Sequence, residues 1–377
     1  MDFSLTEAQQ EVRDLARKIL EDLSTHERLV EVEASEDGVD RRLWEELGRS
    51  NLLGVGLPES CGGSDMGFFT LCLLLQEVGR TVAAVPVLPS LVMAGLPLAA
   101  FGSEAQQSRW LPGVASGGHI LTAALLEADG EDPARPACRA ERRGDGWALS
   151  GTKICVPCAH LAERILVPAR SEDGVTLFWL DPRASGVTLT PQAVTHRERQ
   201  FQLALDGARV VDGDVLGDPG RGAEIARWTA ERTTAALCAV QLGVSERALA
   251  MTASYAAERR QFDRPIGSFQ AVHQRAADAF IDVEAMRLTT WQAAWRLDQG
   301  LPAADAVAVA KFWAADGGQR VGYAAQHLHG GIGIDVDYPL HRFYLWAKHI
   351  ELTLGSAPVQ LERIGERLAH EPVHSAA

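Results

Sequence analysis

From Gln326 to Gly355 the chain reads Q-H-L-H-G-G-I-G-I-D-V-D-Y-P-L-H-R-F-Y-L-W-A-K-H-I-E-L-T-L-G. A helix-forming segment enters the turn Gly330-Gly331-Ile332-Gly333, and a second leaves after Pro339 and stops at Gly355. Glycines remove Cβ atoms, so a turn of this kind lets backbone N–H groups approach an anion closely. The same glycines also suit a plain helix–turn–helix corner, which needs them only for their dihedrals.

On both sides of this stretch the apolar residues recur with the helical period. From about Ala223 to Leu368 the period predicts helices over 223–258, 268–299, 303–328, 338–354 and 357–368. Long helices in succession form a bundle, and broad apolar faces on such a bundle predict an oligomer. Residues 1 to about 115 also read as helical. An amphipathic run extends from Thr6 to Leu20 with Val12, Leu15, Ala16 and Ile19 on one face. Arg41 to Leu53, Phe68 to Gly79 (ended by its glycine) and Ala105 to Leu111 follow. Between His119 and Gly217 the texture changes to short β-rich runs: 120–125, 147–151, 164–169, 175–180, 186–189 and 201–205. Strands at that spacing suggest a small antiparallel barrel or sandwich. The polar segment Glu127 to Asp145 has no period and is expected as a surface loop. The fold class is therefore α+β: a helical domain over 1–118, a β-barrel or sandwich domain over 119–217, and a helical domain over 218–377 built on a four-helix bundle.

With 377 residues, two or three domains are expected. A net charge of −14 argues against a nucleic-acid partner, which needs a basic face. The opening M-D-F-S-L-T-E-A lacks the basic and apolar regions of a signal peptide. Val82 to Gly102 carries no charge, but Pro86, Pro89 and Pro97 make it a buried helix with a broken start, not a membrane span. Six scattered cysteines are expected as free thiols in a reducing cytoplasm. Cys155-Val-Pro-Cys158 lacks the second ligand pair that zinc requires, and His160 alone does not supply it, so no metal is expected.

Four passages then point one way: Pro58-Glu-Ser-Cys-Gly-Gly-Ser64, Leu149-Ser-Gly-Thr-Lys153, Glu258-Arg-Arg-Gln-Phe-Asp-Arg-Pro-Ile-Gly-Ser-Phe-Gln270, and the opening stretch. In order, and with the α–β–α layout, they resemble the acyl-CoA dehydrogenase family over nearly the whole chain. The resemblance implies FAD-dependent α,β-dehydrogenation of an acyl-CoA thioester. A carboxylate takes the α-proton and the β-hydride goes to the flavin. It also implies an electron-transfer flavoprotein or similar acceptor.

The family's base is a Glu just before the glycine that matches Gly355, and that position is Leu354. In a second branch it stands ten residues before the glycine matching Gly243, and that position is Thr233. Neither can act as a base. Glu351, one turn before Leu354, is the substitute candidate. Glu231 lies about 200° round the helix from Thr233 and points elsewhere. The family's flavin-ring contact W-x-T falls on Cys155 and Pro157. Its T-E-P-x-A-G-S-D becomes Leu125-Leu-Glu-Ala-Asp-Gly-Glu-Asp132, and its T-S-Q becomes Ser356-Ala357-Pro358.

The groups that relatives lend to a neighbouring subunit's FAD match Arg259, Phe262, Gln270, Gln326, Gly330 and Gly331, and all are present. What the chain would use on its own flavin is lost, and what it would lend is kept. This division resembles the non-catalytic subunit of the heteromeric α2β2 acyl-CoA dehydrogenases of actinobacterial steroid side-chain degradation. The expectation is a subunit that completes the FAD site of a homologous catalytic partner acting on a bulky acyl group. Two alternatives stand beside it: a self-sufficient homomeric dehydrogenase using Glu351, and a flavin-free structural or acyl-CoA-binding homologue.

Overall fold

The computed structural model describes residues 3–130 and 132–370. α1 (Glu7–Leu23) begins at a capping box, in which Thr6 Oγ1 accepts from the Gln9 N–H and the Gln9 side chain accepts from the Thr6 N–H. Thr25 caps α2 (His26–Ala34), a short helix that the apolar period did not reveal. α3 (Arg41–Arg49) stops short of the expected Leu53, because Asn51 turns left-handed at φ 59° and Leu52–Gly54 tightens to a 3-10 turn. α4 (Gly67–Thr81) runs past Gly79, so that glycine is not its terminator; the left-handed residue is Val82, at φ 43°. The uncharged stretch is buried, with π-helical turns over Leu88–Gly95 leading into α5 (Leu96–Phe101). Among the described residues no helix is long and apolar enough to cross a membrane. α6 (Glu104–Ala115) follows, with a second capping box from Ser103 and Gln106.

The middle of the chain is one eight-stranded sheet: β1 (Leu121–Ala123), β2 (Arg139–Arg143), β3 (Gly146–Pro157), β4 (Arg164–Ser171), β5 (Gly174–Leu180), β6 (Val187–Gln192), β7 (Gln200–Val211) and β8 (Val215–Leu216). The order is β6-β7-β3-β2-β4-β5-β8, with β1 also beside β4. β4 pairs in parallel with β1 and β2, a departure from the expected all-antiparallel arrangement. β2 lies inside the segment expected as loop; only Ala140 of its five residues is buried, so it has no apolar alternation to read. β4 and β5 read as unbroken apolar runs because both faces are covered. Leu166, Leu177 and Trp179 join the helical core, while Ile165, Val167, Phe178 and Leu180 face the sheet's own core. Trp147 on β3 and Phe178 on β5 are separated by two strands, yet their ring centroids are 5.4 Å apart, so the sheet curls on itself.

The last part is helical: α7 (Gly222–Glu258), a small hairpin of β9 (Arg260–Gln261) and β10 (Arg264–Pro265), α8 (Gln270–Asp298), α9 (Ala304–Phe312), α10 (Gly318–His329), α11 (Leu340–Leu352) and α12 (Ala357–His370). A π-helical turn at Trp313–Gly317 joins α9 to α10. The fully buried Lys311 donates to the carbonyl oxygens of Ile350 and Glu351, satisfying the C-terminal end of α11. α4 and α7 cross at glycine. A Cβ on Gly79 would stand 2.0 Å from the Val240 carbonyl oxygen, and one on Gly243 would stand 1.8 Å from that of Gln76. Backbone touches backbone there, which only glycine permits. A single apolar core then runs from Leu20 of α1 through Leu74 of α4 to Val240 of α7 and Leu354.

Candidate functional site

A cavity with ≈ 80 Å³ of free space lies between α4, the 85–93 segment, the sheet, α7 and α11. Thr233 and Leu354, the two positions where a base would stand, both line it. So do Cys155 and Pro157, at the flavin-ring positions, and Leu125 and Leu126 ahead of them. The fold thus brings together both base positions and part of the flavin-contact set, while Ser356, Ala357 and Pro358 do not line the cavity. Leu354 is buried, and the Thr233 hydroxyl donates to the Thr229 carbonyl at 2.8 Å, within its own helix. A pocket that encloses a drug-sized ligand offers about 300 Å³ or more. With a thiol, a proline and leucines at the ring positions, this space does not fit a tricyclic flavin.

Glu351 does not line the cavity. Leu354 takes φ 57° beyond the end of α11, so the helical projection linking the two residues fails there. The Glu351 carboxylate instead pairs with Lys348 Nζ at 2.6 Å. Glu231 faces a separate groove shared with Arg227, Arg363 and Arg367, and burial raises its pKa.

The carboxylate that does line the cavity is Glu198, which motif reading missed. Its Oε2 lies 2.9 Å from His196 Nε2. The His196 ring stacks on His349, with centroids 3.6 Å apart. Burial, then the proximity of His196 and Lys311, holds the His349 pKa well below its ordinary value. Two patterns carried a signal. His196, Glu198 and Gln200 alternate with period two, and Trp346, His349, Ile350 and Thr353 share one helical face. Among the described residues no group of three or more His, Cys, Asp or Glu could hold a metal ion.

The residues matched to the lent half of the cofactor site lie elsewhere, on the outer surface. Arg259 follows α7, with its N–H on the Tyr255 carbonyl at 2.8 Å and its own carbonyl accepting from Ile266. Phe262 is 87% exposed at φ 52°, at the tip of the β9–β10 hairpin. Gln270 opens α8, and Gln326 lies in the last turn of α10. Gly330 adopts φ 66° and ψ −142°, and a Cβ on Gly330 or Gly331 would meet nothing within 4 Å. The ends of α7 and α10 are joined by Tyr255, stacked on His329. His329 Nδ1 lies 2.8 Å from the Ala325 carbonyl and so carries the proton, leaving Nε2 to accept from the Tyr338 hydroxyl at 3.1 Å. Exposed guanidinium, aromatic and amide groups beside an open glycine turn fit a dinucleotide presented from outside the chain.

A helical–sheet–helical chain folded round a cavity at these positions defines the acyl-CoA dehydrogenase type of scaffold. Residues 6–118 match the family model for the acyl-CoA dehydrogenase N-terminal domain and residues 220–369 that for the C-terminal domain. The chain belongs to the acyl-CoA dehydrogenase family. It is 42% identical to acyl-CoA dehydrogenase FadE27 of Mycobacterium tuberculosis, over 99% of this chain and 100% of that protein. Among solved structures it resembles a chain of the Tcur3481–Tcur3483 steroid ACAD variant, with 46% identity, a TM-score of 0.90 and coverage of 96% and 98%. It also resembles a chain of the ChsE4–ChsE5 complex from Mycobacterium tuberculosis, with 42% identity, a TM-score of 0.94 and coverage of 99% and 100%.

Proposed function

We propose that this chain is one subunit of a heteromeric, FAD-dependent acyl-CoA dehydrogenase. It completes the cofactor site of a homologous catalytic subunit and holds no complete site of its own. One observation carries this: Leu354, Thr233, Cys155 and Pro157, matched to a chain's own base and flavin contacts, line one mostly apolar cavity, while Arg259, Phe262, Gly330 and Gly331, matched to the lent half, are exposed. The likeness to the ChsE4–ChsE5 complex and to the Tcur3481–Tcur3483 steroid ACAD supports a two-chain assembly, of α2β2 type, acting on a bulky, steroid-type acyl group.

In that assembly the bound FAD supplies hydride acceptance. Arg259 would donate charge-assisted hydrogen bonds to its phosphates, and Gly330-Gly331 would let the backbone approach them. Phe262, Gln270 and Gln326 complete the surface on the nucleotide. The partner supplies the base, and an electron-transfer flavoprotein or similar acceptor, in the cytoplasm, takes the electrons.

The test is purification of the chain alone and together with a related chain from an adjacent gene. The expected result is a colourless single chain and a yellow complex with about one FAD per heterodimer. A homotetramer that binds FAD in every chain and oxidises acyl-CoA overturns the proposal. The displaced-base alternative requires Glu351→Gln to abolish turnover; the Lys348 pair outside the cavity predicts unchanged turnover.

A further inference from the structure

The cavity keeps a polar corner that the loss of a flavin site does not explain. His349 lines it, stacked at 15° on His196, and only Nε2 of His349 has neighbours, the Gln200 amide at 3.5 Å and the Thr353 hydroxyl at 3.4 Å. Among the described residues Nδ1 of His349 makes no hydrogen bond, and Nδ1 of His196 and Oε1 of Gln200 are buried without a partner. Polar atoms left unpaired on residues that line a cavity cost free energy unless something meets them. The remaining wall is apolar, with Val85, Leu88, Met93, Leu237, Val240 and Ile350.

We infer that this cavity is a ligand site in its own right, for a compact apolar molecule carrying one hydroxyl group. The hydroxyl both donates and accepts, so it satisfies a neutral imidazole in either tautomer. A charged ligand is disfavoured. Glu198 on the wall repels an anion, and the largely apolar lining gives a cation little to replace its water. The free space of ≈ 80 Å³, at about 10–15 Å³ for each water-sized atom, holds roughly five to eight heavy atoms. Cyclic alcohols and phenols are of that size. The inference rests on the reading that this chain holds no flavin of its own, which flavin absorbance of the purified chain tests separately.

The experiment is isothermal titration of the full-length chain, in the assembly in which it purifies, with phenol and cyclohexanol. Benzene and cyclohexane serve as the matched hydrocarbons. The alcohols should bind about fivefold more tightly than the hydrocarbons, the worth of one net hydrogen bond. His349→Phe keeps the ring and removes the nitrogens, so it should abolish that preference while hydrocarbon binding persists. Leu88→Trp, at the half-buried rim, should block both classes. Failure of the alcohols to bind the wild-type chain, equal binding of alcohol and hydrocarbon, or a preference that survives His349→Phe overturns the inference.

Discussion

The ring of Tyr255 lies against the imidazole of His329, with centroids 4.4 Å apart and planes 21° from parallel. The contact ties the last turn of α7 to the last turn of α10, and so fixes Arg259 in relation to Gly330. Two substitutions separate holding from touching. Arg259→Ala removes an exposed side chain, so the melting temperature should not move. A lost charge-assisted contact of about 1.5–3 kcal/mol should weaken FAD retention roughly 10- to 150-fold in the complex. Tyr255→Ala should lower both, with about 0.5–1.5 kcal/mol from the ring pair lost in stability. Flavin absorbance after gel filtration, beside a thermal melt, reads both; unchanged flavin content in Arg259→Ala would favour the flavin-free alternative.

Restoring the missing carboxylate should not restore catalysis. Leu354→Glu places an acid at a position 5% exposed in an apolar wall. Burial favours the neutral form, so the raised pKa makes the variant less unstable at low pH and most unstable above neutrality. A destabilisation of about 2–4 kcal/mol near pH 8 is expected by denaturant titration. Acyl-CoA oxidation by this variant without a partner would contradict the proposed division of the flavin site between two chains.

The buried histidines set an acid limit. His349, His329, His341 and His160 all have pKa values lowered from 6.5, desolvation being the first cause in each. For a group whose folded pKa is depressed, the unfolded chain takes up protons first as the pH falls. Stability is therefore full above about 6.5 and declines below it. Paired carboxylates such as Asp40 are lost only below about 4, so the two windows are distinct. Melting temperatures across about pH 7.5 to 5 should fall, and His349→Gln should flatten the slope.

The α4–α7 crossing tolerates no side chain. Gly243→Ala sets a methyl group 1.8 Å from the Gln76 carbonyl oxygen, against backbone that cannot rotate away. A loss of about 3 kcal/mol or more is expected by chemical denaturation. Gly330→Ala meets no atom within 4 Å; its cost arises from the backbone at φ 66° and ψ −142°, which side-chain-bearing residues avoid, about 1–3 kcal/mol.

Much of this was legible in one sequence, for reasons that differ by element. The amphipathic run from Thr6 to Leu20 announces α1 because its period is local, and the structure adds the Thr6–Gln9 cap. The proposal that Leu354 and Thr233 stand where a base would be rests on ungapped motifs, which fix register without any tertiary contact. That both line one cavity with Cys155 and Pro157 is a fact of tertiary packing that no local pattern contains. His196 and His349 lie on segments far apart in the chain, and each alone reads as an ordinary half-buried histidine. β2 escaped because a strand with one buried residue has no period. Gly79 was misread as a helix end because its partner, the Val240 carbonyl, belongs to a helix from the other end of the chain.

That crossing also bears on how the chain is made. α4 leaves the ribosome long before α7, yet its groove is the backbone of α7 at Val240 and Gly243. During synthesis Leu74 and Leu75 of α4 lack the α7 part of the core they join until residues beyond Gly243 emerge, although Leu71 already packs on Gly56. The N-terminal helices are thus a folding intermediate in waiting, exposed to aggregation or to chaperone capture for the whole translation of the sheet.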